Sequence, residues 1–115
     1  MSAAVAVAEL LAAYTSTAER WHELRADARA ANAVFDENER LARALRTTAQ
    51  GRAGIAALLN HEASGVRVLA AAHSVDFQAD DAVPVLEALA AGADLHAIAA
   101  SYALEELRAG HLLVD

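Results

Sequence analysis

Alanine supplies much of the apolar content of this chain, and bulky aromatics are scarce. The hydrophobic fraction is 57% and the aromatic fraction 4%. Alanine is the strongest helix former but fills little core volume. Packing must then come from Leu, Ile and Val, with Ala faces in close contact. That favours many thin helices over a sheet of bulky cross-strand pairs. One proline and five glycines give few turns, and no Asn-Gly or Asp-Gly hairpin signature occurs. The expected fold is all-α. At 115 residues the chain is one domain, spanning 1–115, and can bury one core.

Apolar periodicity and caps place six helical segments. Segment one, Ser2 to Leu24, carries Leu10, Tyr14, Ala18 and Trp21 on one face, with Trp21 expected in the core. A second reading breaks it at Ser16, where Ser16 and Glu19 have capping-box spacing. Segment two, Ala28 to Ala49, has Asp27 as N-cap, a stripe of Val34, Leu41 and Leu45, and Gly51 as its stop. Segment three runs from Ala53 to Asn60 and segment four from Ser64 to Val75. Asp80 or Asp81 caps segment five, which ends at Ala91 with Pro84 in its first turn. Asp94 caps segment six, Leu95 to Ala109, and Gly110 closes it. Leu58, Leu69, Leu86 and Leu104 are expected in the core.

Segments three and four form one helix pair, and five and six another. The offset from Ile55 to Val83, or from Leu59 to Leu86, is about 27 to 28 residues, a period typical of stacked repeats. The run from Leu58 to Ala72, with Val66-Arg67 and paired alanines after a polar turn, resembles a HEAT-repeat unit. Ala82 to Leu89 resembles the first helix of the next unit, and Ala99 to Leu107 its second. With Asn32 and Phe35 upstream, the order is similar to a family of small bacterial HEAT-like proteins known as a domain of unknown function. The likeness covers roughly Ala18 to Gly110. It implies a short, right-handed HEAT-like α-solenoid of five to six helices, with N-terminal long helices over 1–50 and two helical hairpins over 51–110. Asn60 or Ser64 stands where HEAT turns often carry Asp, so the usual Asp–Arg bond across the turn lacks its acid.

Chemistry-bearing motifs are missing. The histidines are His22, His61, His73, His96 and His111, and no helical pair has the i, i+4 spacing of a metal site. His73 and Asp76, three apart, could share a face, but a core-edge histidine bonded to backbone is the simpler reading. Asp36, Glu37 and Glu39 alternate with Arg40 and Arg43, as a solvated helix surface does. Gly51 and Gly54 lack the strand and the Lys-Ser or Lys-Thr of a phosphate loop. Ser16, Ser64 and Ser101 have no nearby base. No catalytic residue, metal or cofactor is expected, and the chain reads as a non-enzyme.

The formal charge is −7, and Arg20, Arg25 and Arg29 interleave with Glu19, Glu23 and Asp27. Nucleic acid requires a basic footprint that is missing here. Ala3 to Tyr14 is apolar but too short to cross a bilayer and lacks the basic start of a secretory signal. The lack of cysteine suits a cytoplasmic setting. The expected function is a protein-binding or scaffold module with a basic protein partner. The alternative is an immunity-type inhibitor that neutralises a basic toxin such as a nuclease. Self-association is left open. Candidate binding residues are Arg67 and His73 on segment four, and His96 and Glu105 on segment six. Arg67 could instead bond turn carbonyls.

With no thiolate and no helical histidine pair to hold a metal, dialysis against a strong chelator should leave the thermal unfolding transition in place. A clear drop in that temperature would contradict the reading.

Overall fold

A computed structural model describes residues 2–24 and 27–110; Arg25 and His111 lie outside them. The described residues form six α-helices and one 3₁₀ turn, with no strand. The all-α expectation holds. No described helix is long and apolar enough to cross a membrane.

Helix α1 (Ala3–Glu23) starts at Ser2, whose hydroxyl accepts the Val5 N–H at 3.2 Å. It passes through Ser16 without a break. The Thr15 and Thr17 hydroxyls bond back to the Leu11 and Tyr14 carbonyls, as mid-helix threonines commonly do. Helix α2 (Ala28–Leu45) is capped by Asp27, which accepts the Ala30 N–H at 3.0 Å.

The sequence reading carried α2 on to Ala49 and made Gly51 its stop. Instead α2 ends at Leu45, and α3 (Ala49–Ala57) begins almost at once. Thr48 is its cap: the hydroxyl accepts the Gly51 N–H at 3.0 Å. Gly51 is therefore inside a helix. A Cβ placed there would lie 1.9 Å from the Leu45 carbonyl oxygen. The α2–α3 corner is that tight, and only glycine fits it.

A 3₁₀ turn (Leu58–Asn60) leads to α4 (Ser64–Ser74), then α5 (Ala79–Ala91) and α6 (Ala97–Arg108). Asp80 and Asp81 lie within the first turn of α5 and do not cap it, which still suits the helix dipole. Pro84 sits beyond that first turn, where its ring removes the amide that would have met the Asp80 carbonyl. Asp94 does organise the entry to α6, accepting the His96 N–H at 2.7 Å. The regular helix starts at Ala97 after that turn, later than the expected Leu95. Gly110 follows α6 with φ of 85°.

Nine of the eleven residues of α4 are buried, so this helix is the hub. It packs against α1, α3, α5 and α6. Ile55, Val66, Leu69, Ala70, Val75, Leu86 and Leu104 share one core with Tyr14, Ala18 and Leu45. Leu69, Leu86 and Leu104 are core as expected. Leu58 is only half-buried at its edge, and its neighbour Leu59 takes the interior position. The 3₁₀ geometry turns the helix face by one residue there. Trp21 is also half-buried at the core's edge.

The corner at Gly51 sets a test. Gly51→Ala should destabilise the fold by about 1–3 kcal/mol or more through overpacking, despite alanine's better helix propensity. Gly92→Ala, whose Cβ meets nothing closer than 3.5 Å, should stay within about 0.5 kcal/mol of the parent. Urea midpoints decide it, and a Gly51→Ala chain as stable as the parent would refute the close approach.

Candidate functional site

Two polar clusters, each built around a buried histidine, and one exposed apolar groove are the candidates for function. The first cluster joins α1, α2 and α4. The Tyr14 hydroxyl lies 2.7 Å from His73 Nδ1, and His73 Nε2 lies 2.6 Å from Glu39 Oε1. Burial first, and the Glu39 charge second, push the Tyr14 hydroxyl upward, so it stays a neutral donor. Burial opposes ionisation of Glu39, but the His73 hydrogen bond, with the nearby Arg43 and Arg46 charges, outweighs it and holds that carboxyl low. An ionised Glu39 only accepts. The consistent arrangement is Tyr14 O–H donating to Nδ1 and Nε2–H donating to Glu39. Asn38, wholly buried, donates to the Tyr14 carbonyl at 3.2 Å and to Thr17 Oγ1 at 3.0 Å. This chain of bonds lies within the packed helices and ties three of them together.

The second cluster joins α1, α4 and the entry to α6. Asp94 Oδ2 accepts the Ser64 hydroxyl at 3.0 Å, and Asp94 Oδ1 lies 3.0 Å from His96 Nδ1. Ser64 Oγ is 3.2 Å from that same nitrogen. Ser, His and Asp thus meet, but not as a hydrolytic triad. A triad places the serine and the acid on opposite ring nitrogens, whereas here both address Nδ1. Ser64 is also buried and spends its proton on Asp94. The His96 backbone N–H, and then the Ser64 hydroxyl, hold the Asp94 carboxyl down at about 2. The His22 ring stacks on His96 with centroids 4.8 Å apart, and His22 Nδ1 accepts the Gly65 N–H at 2.9 Å. A Cβ on Gly65 would come within 2.7 Å of the His22 Cβ. That glycine lets α4 begin directly against α1.

Trp21 lies against His96, ring centroids 5.0 Å apart, and against Phe35 at 6.3 Å. It also lines an open apolar groove of about 500 Å³, with Leu24, Ala31, Leu95, Ile98 and Tyr102. Ile98 is 78% exposed and Tyr102 63%. Leu95 and Phe35 are exposed too. The groove therefore lies among the end of α1, the first half of α2 and the first half of α6. A second, more polar groove of about 430 Å³ lies between α5 and α6, lined by Glu87, Ser101, Glu105 and Arg108.

The four residues singled out from sequence fall in different places. Arg67 Nη1 donates to the His61 and Glu62 carbonyls at 2.8 and 2.9 Å, the turn-bonding alternative. His73 is in the first cluster and bonds side chains, not backbone. Its sequence neighbour Asp76 pairs with Arg46. His96 is in the second cluster and also borders the apolar groove. Glu105 is on the polar α5–α6 groove. Sequence reasoning passed over Tyr14 and Glu39 as site members, and over Ile98 and Tyr102. Glu39 was grouped with Asp36 and Glu37 as a solvated face; Glu37 does pair with Arg40 at the surface, but Glu39 turns inward. The spacing of Leu95, Ile98 and Tyr102 was the available signal for the groove. Among the described residues, no group of three or more His, Asp or Glu could hold a metal ion.

Comparison of the chain with protein-family models, curated proteins and solved structures gives no match.

Asp94 supplies a pH test. Its folded pKa of about 2 is below the ordinary 3.8, so the folded state favours the ionised carboxyl. That contribution is present above the ordinary value and is lost as pH falls toward 2. Urea midpoints of the parent should decline over that acid window. Asp94→Asn should be less stable at neutral pH and decline less steeply. Parallel pH profiles for the two chains would remove Asp94 from the cluster.

Proposed function

We propose that this chain is a non-enzymatic protein-binding module that takes its partner in the apolar groove between α2 and α6. One observation carries the reading: Leu95, Ile98 and Tyr102 lie exposed beside Trp21 and Phe35 as one continuous patch. Single exposed apolar residues are ordinary. A contiguous patch with a polar rim on a small domain marks an interaction surface. Leaving a side chain such as Ile98 in water forgoes about 1.5–3 kcal/mol that burial would return. The internal wiring of both polar clusters supports a binding role over a catalytic one.

The same proposal describes the six helices as a short HEAT-like solenoid. Two things support it: the succession of helix pairs, and Arg67 bonding the carbonyls of the turn before its own helix. The formal charge of −7 favours a narrower version, in which the module neutralises a basic toxin.

The test is a photocrosslinking phenylalanine analogue in place of Tyr102, compared with one in place of exposed Ala53 on α3, each in extract from the native host. A discrete adduct is expected at position 102 and not at 53, and it should vanish when Ile98→Ser is added. No adduct at 102 would overturn the groove as a docking site. An acidic partner would remove the toxin version.

A further inference from the structure

We infer that the occupant of the groove is a basic amphipathic helix of a partner protein; this rests on the groove being the docking site.

The shape comes from α6. Ile98 and Tyr102, four residues apart on that helix, form an outward ridge, and exposed Leu95 extends it from the turn just before. Ala100, Ala103 and Leu104 face the core on the same helix. A helix apolar on both sides is built to be packed on both sides, and a ridge at this spacing is what the groove of another helix receives. Ala31 lines the groove and is small, so an incoming helix can approach closely. Recognition by an apolar helical stripe laid in a groove is a recurrent binding mode.

The charge comes from the rim. On the α6 side stand Asp94 and Glu106, while Glu105 and Arg108 line the α5–α6 groove instead. Asp94 is ionised at any neutral pH, and Glu106 is hydrogen-bonded to the Tyr102 hydroxyl at the groove's edge. Along the α1–α2 sequence, Glu19, Glu23 and Asp27 balance Arg20, Arg25 and Arg29, so the α6 wall sets the sign. The exposed faces of Trp21 and Tyr102 add sites on which an Arg or Lys head group can rest.

A second copy of the chain is the poorer occupant. A two-fold interface sets the same patch against itself, so two acidic rims would meet, on chains that each carry a formal charge of −7. Nucleic acid and anionic lipid meet the same repulsion.

Two synthetic peptides of about five helical turns make the test. Both carry leucine at one helical stripe; one fills the remaining positions with lysine, the other with glutamate. Trp21 is the single tryptophan, so its emission reads the groove of the intact protein. The lysine peptide should shift that emission and bind at least about tenfold more tightly than the glutamate peptide, a gap of about 1.4 kcal/mol. The affinity should fall as salt rises. Ile98→Ser should abolish binding and Glu106→Gln should weaken it, each with an unchanged circular dichroism spectrum.

Equal binding of both peptides, lost in Ile98→Ser, would overturn the basic partner and leave the docking site standing. Lysine-peptide binding indifferent to Ile98→Ser would be charge attraction elsewhere and would overturn the inference. Dimerisation of the free chain that Ile98→Ser abolishes would make the occupant a second copy, and also overturn it. If neither peptide binds, the inference fails, and the photoadduct at position 102 separately decides the docking site.

Discussion

Everything in this molecule is arranged around a helix that water barely reaches. α4 is enclosed on all sides in a chain with few large side chains, so its neighbours must come close. Small residues permit that: Ala70 and Ala71 in the middle of the helix, Gly65 against His22 at its start. Close approach recovers the dispersion energy that bulky residues would otherwise supply. Enclosure also has a cost. The buried polar side chains of α4, Ser64, His73 and Ser74, lose water and must find partners inside. Ser74 bonds back to the Ala70 carbonyl at 2.7 Å. His73 and Ser64 need groups from other helices, and the two polar clusters are their solutions.

The groove follows from the same economy of side chains. α6 touches α5 and α4 with its alanines and Leu104, and meets the end of α1 through His96. On the α2 side, Ala31 stops short and Phe35 lies against Trp21. The outward ridge of α6 is left uncovered, next to the aromatic ring that seals the second cluster. Trp21 is thus a shared wall, with His96 on one side and the open groove on the other.

Local features were legible in the sequence and distant ones were not. Asp27 was found because a cap acts within three residues of its target; Asp94, expected to cap α6, instead bonds the turn before it, where His96 is the capping residue. The α2–α3 corner was misread because a glycine after an apolar stripe looks like a stop; Thr48 was the cap, and Gly51 is there for space. His73 could be flagged as a lone histidine, but its partners Tyr14 and Glu39 are 59 and 34 residues away. No spacing rule reaches that far. Leu58 was expected in the core and lies at its edge, because a 3₁₀ turn abandons the helical period there. On α6, the inward face was read correctly through Leu104, while the outward ridge needed knowledge of what lies opposite.

A cylinder greasy on every side has no reason to stop at one angle of rotation. Slide α4 along its axis or turn it, and alanines and valines still meet alanines and leucines. Ser64 at one end and His73 nine residues on, about 13 Å along the axis, act as two pins in such a cylinder. Each accepts only one setting, because a missed hydrogen bond in the interior costs more than a shuffled methyl group. Sequence drift in this molecule should then run against habit. The oily positions of α4 can trade among themselves, while the few polar ones inside must stay put or change in concert with partners far along the chain.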